Sequence, residues 1–340
     1  MGREKEPRSR VRRRKRGCLT GCLVNVLLVL GVAALLFVGA CVLGFVKNDP
    51  QTGKPSLSLQ NIGLGEVQLP DFMGAVRSAS ESIEKGLATL PAWAYGMSSE
   101  GMTVKTLRAG GGEAVLVCCD GYTMLVGAGS NGLLTSAQLL LCGVTRLSVA
   151  VADCAENSSI GGMATAVGFF KPEYLLMQDS QTKSVAYNEM YARAKQSGAQ
   201  VIAPDRGLTF SLGRATVTVI GPARENHTDE RDDGLSLRID YGSTSVLIPG
   251  TITSAGEQEL VSSGVRMEAD VLICSRGGSD EATSLRLVEA ARPRAALLTG
   301  NDPANSVLIR LQRAGTQAYT AREHGVMTVV SDGSTITVKP

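Results

Sequence analysis

Histidine is scarce in this chain, whose 340 residues contain two, His227 and His324. Two imidazoles are too few for a metal centre built mainly of histidine, as in many metal-dependent hydrolases. Aromatic residues make up only 4% of the chain, which leaves little for stacking against nucleic-acid bases. The cysteines after residue 100 are odd in number and match no zinc spacing, so they are predicted to be small buried side chains: Cys118, Cys119, Cys142, Cys154 and Cys274.

Beyond the N-terminus the chain lacks a net positive charge. The formal net charge is +2, and residues 1–16 contribute +7 of it through nine Lys/Arg and two Glu, so the remainder is about −5. Binding to DNA requires clustered Lys and Arg to neutralise phosphates. The charge of the main part of the chain therefore does not support nucleic acid as a partner.

A long apolar run follows the basic segment. Residues 23–46 contain no charged residue and one amide, Asn25. As a helix they would extend about 36 Å, enough to cross a hydrocarbon core of about 30 Å. Because basic segments remain on the cytoplasmic side, residues 1–16 are predicted to be a cytoplasmic tail and residues 17–46 a single-pass anchor. The rest would then lie outside a bacterial cell membrane.

Two alternatives to the anchor remain open. The run could be a buried core helix, although its length and its nine flanking cations favour a membrane segment. Val38-Gly39-Ala40-Cys41 loosely resembles a bacterial lipobox, and cleavage there would leave Cys41 modified by lipid. The apolar run continues past Cys41 to Val46, as expected of an uncleaved anchor. The anchor and the lipoprotein both place the later residues outside the cytoplasm.

Residues 47–100 are predicted to be a stalk and a juxtamembrane helix. The first part, 47–70, is rich in Pro, Gly and Ser. Asp71 is a suitable N-cap, and Pro91 would end the helix. Between them, apolar side chains recur at helical spacing, which predicts packing on the domain or on a partner: Phe72, Val76, Ala79, Ile83, Leu87 and Leu90.

Residues 101–340 have the pattern of one layered α/β domain. Short strands follow one another at first, and strands alternate with helices later. This order predicts two sheets covered by helices, with two half-domains of separate cores as the alternative. Residues 110–112 are three glycines between the first two strands. They predict a turn rather than a phosphate-binding loop, because neither a Lys-Ser/Thr pair nor a helix follows.

Five segments of this domain resemble the metallo-β-lactamase fold, and in particular the extracellular domain of ComEC-type DNA-uptake proteins. Residues 107–117, LRAGGGEAVLV, are similar to the family's LDVGQGDAILI. Residues 143–162, GVTRLSVAVADCAENSSIGG, are similar to GIxxLDLLILSHPHADHIGG. LIPGTI, ADVLICSRGGS and RLQRAGTQAYTAREHGVMTV are similar to LLTGDI, ADVLKVPHHGS and the family's terminal motif. The resemblance covers residues 102–340 and implies an αββα sandwich.

The residues that would bind metal in that family are replaced here. The resemblance implies a vestigial pocket without catalytic or metal-binding residues, at these aligned positions: Cys154, Glu156, Ser158, Ser159, Thr251, Arg276 and Asp302. It therefore implies no cofactor and no metal-dependent hydrolysis. The alternative is a divergent metallo-hydrolase of nuclease or phosphodiesterase type, with a divalent metal held weakly by these non-standard groups.

Several of these residues allow a second interpretation. Arg276 places a cation where the family has a metal ligand, so it would bind a small anion or pair with Glu156 or Asp153. Glu156 could act as a general acid or base, or be a solvated carboxylate. Cys154 could form a disulfide with Cys274 or serve as a thiol nucleophile, although packed cysteines are the simpler interpretation.

The two histidines offer no base for such chemistry. His227 lies in ENHTDERDD, which reads as a solvated loop, and His324 lies in an apparent turn between the last strands. The sequence thus predicts a membrane-anchored, extracytoplasmic binding or scaffolding module. Its expected partners are the membrane and either an unknown protein or a small anion.

Overall fold

The computed structural model describes residues 100–179 and 184–339, together with three short strands earlier in the chain. By its contacts the chain divides into Met1–Gly86 and Leu87–Pro340. In the first unit, β1 (Val46–Asn48), β2 (Pro55–Leu57) and β3 (Val67–Gln68) form an antiparallel ladder. The predicted tail, nearly all of the predicted anchor and the helix predicted after Asp71 lie outside the described residues. No described helix is long and apolar enough to cross a membrane.

One sheet of the second unit has eight strands. Their bounds are β4 (Met102–Thr106), β5 (Val115–Cys119), β6 (Tyr122–Val126), β7 (Val149–Ala152), β8 (Tyr174–Met177), β9 (Gln200–Ile202), β17 (Thr328–Ser331) and β18 (Ile336–Lys339). The order is β18-β17-β4-β5-β6-β7-β8-β9, antiparallel from β18 to β6 and parallel from β6 to β9. The two-residue turn Asp120-Gly121, with φ of 50° and 86°, is the Asp-Gly pair favoured in tight hairpins.

The other sheet has seven strands. Their bounds are β10 (Thr209–Leu212), β11 (Ala215–Gly221), β12 (Ser236–Tyr241), β13 (Thr244–Ile248), β14 (Val271–Ile273), β15 (Ala295–Leu298) and β16 (Gln317–Thr320). They lie in sequence order, antiparallel from β10 to β13 and parallel from β13 to β16. Both sheets thus begin as antiparallel hairpins and continue as parallel strands, whose carboxyl ends lie at one edge.

Helices cover the outer faces of both sheets. Their bounds are α1 (Gly132–Leu141), α2 (Asn157–Ile160), α3 (Met163–Phe170), α4 (Val185–Ser197), α5 (Ser254–Ser262), α6 (Leu285–Ala291), α7 (Asn305–Arg313) and α8 (Ala321–His324). α1, α3 and α4 pack on the first sheet, and α5, α6 and α7 pack on the second. A third apolar cluster joins the inner faces of the two sheets. The predicted layered sandwich is confirmed, and the alternative of two half-domains with separate cores is wrong.

The sequence interpretation missed helix α3 and strand β8. α3 reads MATAVGFF and packs on both α1 and α4, so it has no charged outer stripe to mark it as amphipathic. β8 follows α3 after only three residues, and all but its first residue are buried. Continuously apolar segments of four to eight residues give no periodicity that separates a helix from a strand.

Residues 133–141 have a helix-like sequence and form helix α1, but the orientation of this helix is unexpected. Its buried residues are mostly small or polar, namely Gly132, Thr135, Ser136 and Leu139. Leu133, Leu134 and Leu141 are instead exposed, to 44%, 39% and 70%. A Cβ on Gly132 would lie 2.6 Å from Cβ of Thr165 in α3. The small face therefore lets α1 approach α3 closely, and the leucines are left outside.

Candidate functional site

Loops at the carboxyl ends of β7, β13, β14 and β15 meet between the two sheets. Asp153 follows β7, and its backbone carbonyl accepts a hydrogen bond of 2.7 Å from N–H of Leu235, just before β12. A Cβ on Gly250, after β13, would lie 3.3 Å from the Asp153 side chain. Gly277, after β14, approaches Gly300, after β15, so closely that a Cβ would lie 2.6 Å from the Gly300 nitrogen. Residues far apart in sequence are thereby brought together.

Asp153 is a buried acid at the centre of this region, with a side chain held by a neighbour. Its residue exposure is 1%, and its carboxylate accepts a hydrogen bond from the buried hydroxyl of Ser159 in α2. Burial raises the pKa of Asp153 to about 6, and the Ser159 hydroxyl opposes that rise. Ser159 aligns with a metal ligand of the family, but its hydroxyl hydrogen-bonds to a carboxylate of the protein itself.

Glu113 is a second buried acid, and it links the two sheets. It lies between β4 and β5, yet its Oε1 accepts hydrogen bonds from N–H of Gly277 and, at 3.3 Å, from the hydroxyl of Thr299. Burial raises its pKa to about 8, and the charge of Asp153 adds to the rise. The donors and the Arg276 guanidinium oppose it only partly. Glu113 is accordingly neutral over most of the physiological pH range.

Sequence interpretation did not include Glu113 or Asp153 in the pocket. A signal for Glu113 was present, because it aligns with the acid of the family's GQGD segment. Asp153 aligns with a serine, so the resemblance offered no signal for it. Burial distinguishes both residues from the other acids of these loops, and burial depends on the packing of the two sheets.

Cys154 and Thr251 are both buried beside these acids. The Cys154 sulfur accepts a hydrogen bond of 3.3 Å from N–H of Glu156. Burial, followed by the charge of Asp153, raises the pKa of the Cys154 thiol to about 12, so the thiol stays protonated and is a poor nucleophile. The Thr251 hydroxyl lies beside that thiol and has no hydrogen-bond partner among the described residues. Cys274 is a free, buried thiol, and Cys154 is also free, so they form no disulfide.

An ion-pair chain runs along the outer side of the region. Arg276 Nη2 lies 3.5 Å from the Glu281 carboxylate. Arg231 contacts the same carboxylate at 3.3 Å and the Glu156 carboxylate at 3.8 Å. Of the two alternatives for Arg276, the pairing with Glu156 or Asp153 is therefore wrong, because its ion-pair partner is Glu281. Arg276 Nε and Nη1 are buried without a hydrogen-bond partner among the described residues.

The remaining predicted residues differ in position. Ser158 lies on α2 beside the buried Ser159, and its hydroxyl donates to Glu156 Oε2 at 3.2 Å. The Glu156 side chain is 43% exposed. Asp302 does not join the group, because its side chain is 92% exposed and lies 3.5 Å from Arg322. The loops thus gather Cys154, Ser159, Thr251 and Arg276 around the two buried acids and leave Asp302 in solvent.

Neither histidine lies among these residues. His227 lies in a loop that is largely exposed or half-exposed to solvent, as predicted, but its own side chain is only 4% exposed and both ring nitrogens contact carboxylates. His324 is the last residue of helix α8, and the centroid of its ring lies 5.8 Å from the centroid of the Tyr319 ring. Among the described residues, no three His, Cys, Asp or Glu side chains are grouped so as to hold a metal ion. The side chains present do not fit the two-metal centre that the resemblance would imply.

A cleft of about 160 Å³ opens beside Cys154. Its floor includes Met177 and Tyr187, and a loop of residues 222–234 forms one wall. Four carboxylates line it: Asp179, Glu225, Glu230 and Asp233. An opening with this charge opposes a phosphodiester backbone.

No protein-family model matches the chain. In sequence it is similar to ComE operon protein 3 of Bacillus subtilis strain 168, with 20% identity over 191 residues. The match covers 54% of this chain and 25% of that protein. The chain therefore spans about a quarter of this relative.

In three dimensions the chain is similar to the metallo-β-lactamase fold protein YhfI from Bacillus subtilis. The TM-score is 0.46 and the identity 16%, over 67% of this chain and 99% of YhfI. It is also similar to Zn²⁺-bound PqqB from Methylobacterium extorquens, with a TM-score of 0.43 and 12% identity over 64% and 97% of the two chains. By its two facing sheets and outer helices the chain is a mixed α/β sandwich, and it is similar in sequence to ComE operon protein 3 and in structure to metallo-β-lactamase fold proteins.

Proposed function

We propose that this protein is a membrane-anchored, extracytoplasmic binding or scaffolding module that keeps the metallo-β-lactamase fold without metal-dependent hydrolysis. The observation that carries the proposal is the use of Ser159, Asp153 and Glu113. Ser159 aligns with a metal ligand of the family, but its hydroxyl donates to Asp153, and the nearby Glu113 accepts hydrogen bonds from Gly277 and Thr299. Glu113, with its pKa raised to about 8, is a poor metal ligand at neutral pH, because a proton competes with the metal.

The cleft beside Cys154 supports a binding role. It is a concave opening with an apolar floor, a tyrosine hydroxyl and several acids, which is the usual composition of a small ligand site. Its charge favours a ligand or side chain that carries a positive charge. A small anion at Arg276 stays a prediction. Two guanidinium nitrogens of Arg276, Nε and Nη1, could donate hydrogen bonds to the anion, while the negative charge of the nearby Glu281 would repel it.

The alternative function is a divergent metallo-hydrolase, and metal content separates the two. The full chain, purified in detergent without chelator, should contain well under one zinc, manganese or iron per chain by elemental analysis. It should show no phosphodiesterase activity above the buffer blank, even with added Mn²⁺ or Zn²⁺. Stoichiometric metal that Glu156→Gln removes, and that Glu268→Gln on another surface leaves in place, would establish the hydrolase instead. Both side chains are about half exposed, at 43% and 50%.

The proposed topology predicts protease access from outside the cell. The uncharged run after nine cations should orient the chain with its N-terminus inside. Protease added to intact protoplasts should therefore remove a C-terminal epitope tag, while a cytoplasmic marker stays whole. Protection of the tag until lysis would contradict this topology. Cys41→Ala tests the lipoprotein alternative, because the substitution should leave the mass of the mature chain unchanged, apart from the replaced side chain, if the apolar run is an uncleaved anchor.

A further inference from the structure

We infer that His227 is a pH-dependent latch in the loop of residues 222–234 that forms one wall of the cleft: the protonated ring fastens the middle of this loop to helix α5, and loss of the proton loosens that part of the loop. This inference adds regulation to the proposed binding site and rests on that proposal for its biological meaning. The latch itself is a property of the fold, so it can be measured without any ligand.

The contacts of the ring define its charge state. His227 Nδ1 lies 2.7 Å from Asp233 Oδ1, and Nε2 lies 3.0 Å from Glu259 Oε2. An ionised carboxylate only accepts hydrogen bonds, so both ring nitrogens must donate. A neutral imidazole has one donor nitrogen, whereas the imidazolium has two. The geometry therefore matches the imidazolium, and the ring is shielded from water at 4% exposure.

The latch connects the cleft to the body of the domain. Pro222, Glu225 and Asp233 line the cleft, and His227 lies between them in the chain. Glu259 belongs to α5, whose Leu260 is buried in the core of the second sheet. The pair His227–Glu259 thus fastens a cleft wall to a rigid helix.

Other contacts limit what release can do. Arg224 forms a two-point ion pair with Glu259, at 2.8 and 3.0 Å. Asp232 accepts hydrogen bonds from the backbone N–H and hydroxyl of Thr253, at 2.7 and 3.0 Å. These contacts do not require His227, so the loop should loosen around the ring while its ends stay attached.

On balance, the charged groups that face His227 favour its protonated form. They are Asp233 and Arg224 from its own loop and Glu259 from α5, with Asp232 next to Asp233. Burial lowers the pKa of His227, but the hydrogen bonds to Asp233 and Glu259 and the charge of Asp233 raise it by more. Arg224 opposes them in part, and the net pKa lies above the ordinary value of 6.5.

The direction of the pH effect follows from that rise. A histidine with a raised folded-state pKa stabilises the fold fully below its unfolded-state pKa, and the contribution is lost as pH rises through the folded-state value. Above that point one ring nitrogen carries a lone pair that faces a carboxylate. The loop should therefore open on the alkaline side.

The scarcity of histidine makes the test direct. In the full chain, labelled with ¹⁵N-histidine and held in detergent micelles, the folded protein has two imidazole spin systems, and His324→Gln leaves one. We expect the ¹⁵N shifts of His227 to be those of imidazolium at pH 6.5, with a titration midpoint above that pH. Glu259→Gln should lower the midpoint, whereas Glu268→Gln should not change it.

Hydrogen exchange of residues 222–234 tests release itself. After correction for the intrinsic rise with pH, exchange should accelerate about tenfold or more through the His227 midpoint. Helix α7 serves as an internal reference that should not respond. His227→Gln should exchange fast at every pH, and if that variant does not fold, the Glu259→Gln protein provides the same comparison.

A neutral His227 ring at pH 6.5 would overturn the latch, and so would loop exchange that stays flat while the ring titrates. Neither result bears on the metal content or on ligand binding, so the proposed function would stand. Conversely, a functional metal centre would overturn the proposed function and leave the latch in place.

Discussion

Replacing Glu113 with Gln should raise the free energy of unfolding by about 2–4 kcal/mol at pH 9 and change it little at pH 4. Gln is an isosteric mimic of the neutral acid, and its Oε1 can accept the same hydrogen bonds from Gly277 and Thr299. At pH 9 the wild-type Glu113 must either carry a charge in the protein interior or stay protonated at a pH at which an exposed carboxyl group is ionised. The variant avoids both costs.

The pH dependence has a defined sign. Glu113 has a pKa of about 8 in the folded chain and 4.5 as the reference value, so between these values the folded state binds the extra proton. Stability from this group is therefore highest at low pH and falls as pH rises from about 4.5 to about 8. The whole rise in the pKa of Glu113 corresponds to about 5 kcal/mol of unfolding free energy, and relaxation of the interior around the charge makes the expected difference smaller.

Urea unfolding of the full chain in detergent, at pH 4, 6, 7.5 and 9, measures this difference. The gap between variant and wild type should widen with pH. Glu156→Gln is the control, because that side chain is 43% exposed and should change stability by less than about 0.5 kcal/mol. A Glu113→Gln protein that is less stable than wild type at pH 9 would show that the buried carboxylate is ionised and needed.

Gly112→Ala should destabilise the fold by at least about 4 kcal/mol, or prevent folding. Gly112 has a φ of +91°, and a Cβ there would lie 1.6 Å from the carbonyl oxygen of Ser158. The Ser158 atoms that this Cβ would meet, the carbonyl oxygen and carbon, belong to the backbone, so no flexible side chain can move away. The clash would separate the turn that carries Glu113 from helix α2, which carries Ser159.

Gly121→Ala is a matched control for this prediction. Gly121 has a φ of +86°, and a Cβ there would meet no atom within 4 Å. It therefore carries the same backbone strain without the clash, and should cost about 1–2 kcal/mol. Thermal unfolding of both variants separates the two effects. Equal losses of stability would mean that the approach of Gly112 to Ser158 does not occur in solution.

The sequence was informative where local chemistry decides structure. Alternation of apolar runs and turn residues predicted nearly all of the strands after residue 100, and the Asp120-Gly121 hairpin follows from residue preferences alone. The sequence of residues 133–141 is helix-like and helix α1 confirms it, but the buried face of that helix was not predicted. Hydrophobicity would place Leu133 and Leu141 inside, whereas the close approach to α3 requires Gly132 and its small neighbours there.

The candidate site was predicted only in part. The resemblance placed Cys154, Ser159, Thr251 and Arg276 near one another, because their strands end at one edge of the fold. It failed for Asp302, whose loop turns to solvent. The sequence left open whether Arg276 pairs with Glu156 or Asp153 or binds an anion, and only the folded loops place it beside Glu281.

The sequence by itself determined which chemical groups are present: two histidines, few aromatic residues and a net acidic main part. It also placed mostly small polar residues at positions where the related family has metal ligands. These are properties of composition and order, and no folding can add an imidazole. The tertiary structure alone decided which acids are buried, that Glu113 reaches across to the other sheet, and that His227 lies between two carboxylates. Such properties depend on the removal of water from groups that are distant in sequence, and only the packing of the two sheets removes it.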